Sequence, residues 1–219
     1  MRPILVLFIL GAFQVLVPPI APGQVEAAAI VQVRSAAEAR LLEFLNRIPA
    51  GQEAAYGFRS RTEFPEAGVD EPYQMFTLES RDDASGRTYA WKPLNEWRVP
   101  VRVRGECRAL LTVTRTNDQW RTVDFGASVL ARELDECEQR HARSPRAVHR
   151  GILRIFESSC DFLLMYGQSA SADETNVVPL ESARRALETI GMSVIDEQSM
   201  RECLPLLGKL TETSGPHRK

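Results

Sequence analysis

The stretch from Trp97 to Phe125 constrains the fold more than any other. Trp97, Val99, Val101 and Val103 alternate without a slip against Arg98, Pro100, Arg102 and Arg104. Period-two alternation of β-branched and aromatic residues against polar ones reads as a half-buried strand. Pro100 has no N–H for a ladder, so this strand is expected at an edge, or with position 100 facing out of its ladder. Gly105-Glu106 turns the chain into a second strand over 107–115, and Asn117-Asp118 turns it into a third over 119–125.

Burial should choose the register, because a slip of one residue moves every side chain to the other face. A two-residue loop at Gly105-Glu106 pairs Val103 with Arg108 and Val99 with Thr112. A three-residue loop, or a bulge, pairs Val103 with Cys107, Val99 with Leu111 and Trp97 with Val113, keeping one face apolar. The same logic at the second turn pairs Val113 with Val123 and Leu111 with Phe125. Trp97 then belongs to the core face and Trp120 to the opposite one. After Gly126, the residues Ala127, Leu130, Ala131, Leu134 and Cys137 fall at helical spacing, opposite Arg132, Glu133, Asp135 and Glu136. This helix is expected to fold back on the odd-numbered face of the meander.

Residues 1–27 have the layout of an export signal: Arg2 at the start, an apolar run from Ile4 to Val17, and small residues near Ala27. The run is short for a membrane span. A single α+β domain is expected over 28–210, with a disordered tail over 211–219. Ser35-Ala36-Ala37-Glu38 matches a capping box, predicting a first helix from Ser35 with Ala37, Leu41, Phe44 or Leu45, and Ile48 as its stripe. Tyr73 to Leu78 reads as a strand. Asp82 to Gly86 reads as a turn, and Tyr89-Ala90-Trp91 as the returning strand. Strand-like runs are expected at 151–156 and 160–166, either as a hairpin turning at Ser158-Ser159 or as one bent strand, and a polar loop follows over 167–176. Pro179 and Gly191 bracket a helix. A last helix over 196–207 is expected to break at Pro205.

A net charge of −2 gives no electrostatic footprint for nucleic acid. Lys92, Lys209 and Lys219 are the only lysines among 27 basic residues. Guanidinium forks match carboxylates and phosphates, so Arg98, Arg102, Arg104 and Arg108 on the outer face of the hairpin are candidate binding residues. Charged side chains also guard sheet edges against aggregation. Trp120 and Trp91 are candidates for stacking on a ligand.

Cys107, Cys137, Cys160 and Cys203 form an even set. In an exported chain such a set reads either as disulfides, with Cys137 preferred as partner of Cys160 or Cys203 and Cys107–Cys137 disfavoured, or as buried free thiols serving as small core residues. His141, His149 and His217 lack zinc spacing and no CxxC occurs, so no metal site and no cofactor are expected. The sharpest catalytic constellation is Cys160 beside Asp161 with His141 or His149 as base. No G-x-S-x-G elbow is present.

On the runs Trp97-Arg98-Val99-Pro100-Val101 and Arg108-Ala109-Leu110-Leu111-Thr112-Val113, with Trp120 and Phe125-Gly126-Ala127, the chain resembles uncharacterised exported bacterial proteins. Its layout over about 35–140 is similar to cystatin-like folds and to the propeptide-like domains of secreted proteases. That resemblance implies a curved antiparallel meander packed on one or two amphipathic helices. The cystatin Gln-x-Val-x-Gly loop is missing, since Val101-Arg102-Val103-Arg104-Gly105 stands in the comparable place. These readings combine into an exported, secreted or periplasmic α+β domain that binds an unknown protein or small ligand. It is expected to engage neither nucleic acid nor, after signal cleavage, a membrane. The alternatives are a secreted hydrolase using Cys160 and an inhibitor or chaperone-like partner of a protease.

Overall fold

Two tight turns set the central meander. Arg104 and Gly105 have φ of 51° and 85°, and Asn117 and Asp118 have φ of 50° and 59°. Positive φ at both central residues marks the hairpin turn whose twist matches that of the flanking strands. In this computed structural model, which describes residues 22–83, 86–141, 149–167, 174–192 and 197–212, the turns join β3 (Gly86–Val103), β4 (Glu106–Thr116) and β5 (Gln119–Gly126). β1 (Gly68–Val69) and β2 (Tyr73–Asp83) precede them, and α2 (Ser128–His141) follows. The chain continues through β6 (His149–Ile155), β7 (Cys160–Tyr166), β8 (Asn176–Pro179), α3 (Glu181–Thr189), β9 (Gln198–Ser199) and α4 (Met200–Glu212). At the start lies α1 (Pro22–Arg47). No described helix is long and apolar enough to cross a membrane.

The strands form one large, curved, unclosed sheet in the order β5-β4-β3-β2-β6-β7-β8-β9, with β1 added beside β3. The class is mixed α+β. The sheet is not purely antiparallel, because β2 and β6 run parallel with Met75 opposite Ile152. Nor is β3 an edge. Pro100 sits where one neighbour gives way to another: pairing with β2 ends at Arg98 and pairing with β1 begins at Val101. Its carbonyl still accepts the Asp70 N–H at 2.9 Å.

The apolar register of the meander holds at Val99↔Leu111, Trp97↔Val113 and Leu111↔Phe125. Two bulges alter the rest. One, between Val101 and Arg102, pairs Val103 with Glu106 instead of Cys107 and turns Cys107 to the other face. The second, between Thr112 and Val113, pairs Val113 with Thr122. An extra residue in one strand reverses the facing of everything beyond it. Val123 is therefore 52% exposed while Thr122 is buried, its hydroxyl donating to the Ala36 carbonyl at 2.8 Å. Trp120 moves to the core face and meets Trp97 edge-on at 6.5 Å.

That face is covered by α1, not by α2. Val33, Ala37, Leu41 and Leu45 run down one side of α1, with Ile48 just past its end, onto Val99, Val101, Leu111 and Val113. Ser35 lies inside this helix rather than at its start, because Val33, two residues earlier, already belongs to the buried stripe. The helix begins at Pro22 and so runs through position 27; residues 1–21 lie outside the described set. α2 packs on the reverse face, where Ala131, Leu134 and Cys137 meet Tyr73, Leu110 and Ile152. α3 and α4 cover the far end of the sheet, burying Leu187, Cys203 and Leu207 against Phe76, Leu153 and Phe162. Pro205 stays within α4 on its exposed side, since Cys203, Leu207 and Leu210 hold the buried side in place. Most of the expected loop at 167–176, and the tail from 213, lie outside the described residues.

Candidate functional site

The expected outer arginine face does not assemble; its members are drawn into separate acid partnerships. Arg102 reaches α2 and the end of β1. Its Nε donates to Asp70 Oδ2 at 2.5 Å and its Nη1 to Asp135 Oδ1 at 2.6 Å and to the Gly105 carbonyl at 2.8 Å. Glu138 Oε2 stands 3.6 Å from its Nη2. Glu138 in turn accepts the Tyr73 hydroxyl at 2.6 Å and Arg150 at 2.5 Å. Burial pushes the Asp70 carboxyl up, but the Glu71 N–H and the Arg102 guanidinium outweigh it and hold it below the ordinary value. Burial raises the Tyr73 phenol, and the Glu138 charge beside it raises it further. This is a network that fastens β1, β2, β3, β6 and α2 together.

The other members go elsewhere. Arg98 donates to Thr112 Oγ1 and pairs with Glu96 at 2.9 Å. Arg104 is an exposed partner of Glu66 at the turn, with both contacts at 2.6 Å. Trp120 is half-buried against Trp97. Trp91, the second stacking candidate, is half-buried against the α3–α4 core. Arg108, of these candidates, lines a cavity.

That cavity, about 520 Å³, lies between the 3₁₀ turn at Glu53–Tyr56, β4 and the first turn of α2. Ala54, Ala55, Phe58 and Val129 give it an apolar wall, and Arg59, Arg108 and Arg132 give it charge. Gly57 makes the junction possible. It has φ of 87°, and a Cβ there would stand 3.0 Å from the Arg108 carbonyl carbon and closer still to its oxygen. Ser128 Oγ donates to the Ala55 carbonyl at 3.2 Å, tying α2 to the turn. Arg108 is nearly buried. It gives Nη2 to Glu63 at 2.8 Å and Nη1 to Glu106 at 2.6 Å, while its Nε has no hydrogen-bond partner among the described residues. Arg59 shares Glu106 at 3.0 Å. Arg132 forms no ion pair among the described residues. Sequence reasoning missed Arg59, Arg132 and Ser128. The one available signal was Arg132 on the polar side of a helix whose first turn holds no acid.

The Cys160 constellation is not brought together with His149. In the β6–β7 hairpin Ile155 pairs with Cys160, whereas His149 pairs with Tyr166 at the other end. Six residues of strand separate them by roughly 20 Å. His149 stacks on Tyr166 with ring centroids 5.7 Å apart, and His141 Nδ1 lies 2.9 Å from Glu197. Asp161 is held by Arg154 in a two-pronged pair at 2.7 Å. The described residues contain no group of three or more metal-ligating side chains.

All four cysteines are buried and unbonded. Cys107 and Cys137 share the α2-side core, whereas Cys160 and Cys203 share the core under α3 and α4. The sheet separates these cores, since adjacent residues such as Ile152 and Leu153 point into different ones. The preferred pairing of Cys137 with Cys160 or Cys203 would have to pass through it. Burial pushes all four thiols up, Cys107 to about 12 and Cys203 to about 11. The folded protein is therefore expected to resist Ellman's reagent at pH 8, with four thiols appearing once it is unfolded. Prompt reaction of the native protein would show an open thiolate. The fold holds these protons while the unfolded chain releases them near pH 9, so stability is full below that pH. It should fall as pH climbs toward 12, by at most about 1.4 kcal/mol per unit for each thiol. Urea midpoints at pH 8 and 10.5 check the sign.

Comparison with protein-family models, curated proteins and solved structures finds no match to the chain.

Proposed function

We propose that this protein is an exported binding domain whose ligand enters the cavity between the 3₁₀ turn, β4 and α2. The observation that carries this reading is the cavity itself. It combines a volume in the usual ligand range of about 300–1,000 Å³ with an apolar wall and a few convergent polar groups. Export is supported by Arg2, the apolar run from Ile4 to Val17 and the small residues near Ala27. A cystatin-like layout is supported by α1 lying along the meander of β3, β4 and β5. The parallel β2–β6 pair is an addition to such a layout.

The test is recovery of the protein, made with its own N-terminus, from periplasmic or culture fractions. Incubation with cell-envelope extract and identification of what co-purifies by mass spectrometry follow. Val129 is 69% exposed at the cavity rim, so Val129→Trp is expected to fold and to block entry. The wild-type protein should retain a molecule that this variant does not. Equal retention by both proteins, or by neither, would count against the cavity. Full-length protein confined to the cytoplasm would remove the exported part of the reading.

A further inference from the structure

We propose that the cavity takes a small organic monocarboxylate, its carboxylate on Arg132 and its apolar body along Val129, Ala54 and Ala55. This rests on the reading of the cavity as a ligand site and names the chemistry it selects. Three guanidiniums line it, and two carboxylates, Glu63 and Glu106, already answer Arg108 and Arg59. One positive charge is left, and it is Arg132, whose planar fork matches a carboxylate. The first turn of the 14-residue α2 lies at the same wall without an acidic side chain, so its free amides add to the positive field.

The remaining wall selects what the carboxylate is attached to. Val129 is 69% exposed one helical turn from Arg132, and Ala54 and Ala55 are exposed across from it. Residues three apart on a helix are surface neighbours, so the guanidinium and the isopropyl group face the same space. Small inorganic anions leave that apolar surface wet. A carboxylate bearing a short alkyl chain covers it and gains from the area removed from water.

The experiment is isothermal titration of the intact protein with hexanoate, inorganic phosphate and hexylamine at low salt. Wild type is expected to bind hexanoate saturably, at least tenfold more tightly than phosphate, and hexylamine not at all. Arg132→Gln and Val129→Asp should each weaken hexanoate at least tenfold, while Arg121→Gln on β5 leaves it unchanged. Unchanged melting temperatures would show that the variants are folded. Absence of hexanoate binding, equal affinity for phosphate, or full affinity in Arg132→Gln would each overturn the proposal. If the envelope-extract experiment still finds a molecule lost in Val129→Trp, the cavity remains a ligand site of other chemistry.

Discussion

Arg102→Ala is expected to destabilise the protein by about 3 kcal/mol, the scale of breaking a buried ion pair by removing one partner. The loss is large because Arg102 answers three carboxylates at once. Asp135 and Glu138 are mostly buried, at 13% and 14% side-chain exposure, and neither can turn fully to water when the guanidinium is gone. Glu138 would keep Arg150 and Tyr73, but Asp70 and Asp135 would lose the only guanidinium in direct ion-pair contact with them among the described residues. Arg104→Ala is the control. Its pair with Glu66 is exposed, and exposed pairs contribute about 0–1 kcal/mol. Urea unfolding of both variants checks the contrast. Equal midpoints would mean that the Arg102 network does not fasten α2 to the sheet. Adjacent arginines in one alternating sequence thus differ severalfold in what they hold.

Gly57→Ala is expected to cost about 3 kcal/mol or more. An alanine at φ of 87° carries a left-handed penalty of roughly 1–2 kcal/mol. The added methyl would also overlap the Arg108 carbonyl oxygen, a backbone atom within a sheet strand that cannot swing aside. Relief requires the turn at Glu53–Tyr56 to lift from β4, which opens the cavity wall and exposes Phe58, now 1% exposed. Gly51→Ala separates the two contributions. Gly51 has φ of 84° and open space around its would-be Cβ, so only the backbone penalty applies. A Gly57→Ala variant no less stable than Gly51→Ala would show that close packing of the turn on Arg108 contributes nothing. Thermal melts compare the two directly.

The meander was readable because its signals are local. Alternation over 97–103, the Asn117-Asp118 turn and the helical spacing after Gly126 each depend on neighbours a few positions away, whereas the first turn lies at Arg104-Gly105, one residue before the expected Gly105-Glu106. The hairpins at Tyr73–Trp91 and Ile155–Cys160 were legible for the same reason. The candidate site was not. Arg108 alone carried over, because the cavity joins a 3₁₀ turn, a strand and a helix start that lie up to 78 positions apart, from Ala54 to Arg132.

By itself, then, the sequence determined the class, the strands of the meander and the buried odd-numbered residues Trp97 to Val103 and Leu111 to Val113; the burial of Pro100, Leu110 and Thr112 was not legible. Only the tertiary structure decided which helix covers which face. Bulges at Val101/Arg102 and Thr112/Val113 turn Cys107, Trp120 and Thr122 over, and α1 rather than α2 fills the face that carries Val99 and Leu111. The physical reason is the two-residue period of a strand: one extra residue reverses everything beyond it, and whether that residue is tolerated depends on packing against segments far along the chain.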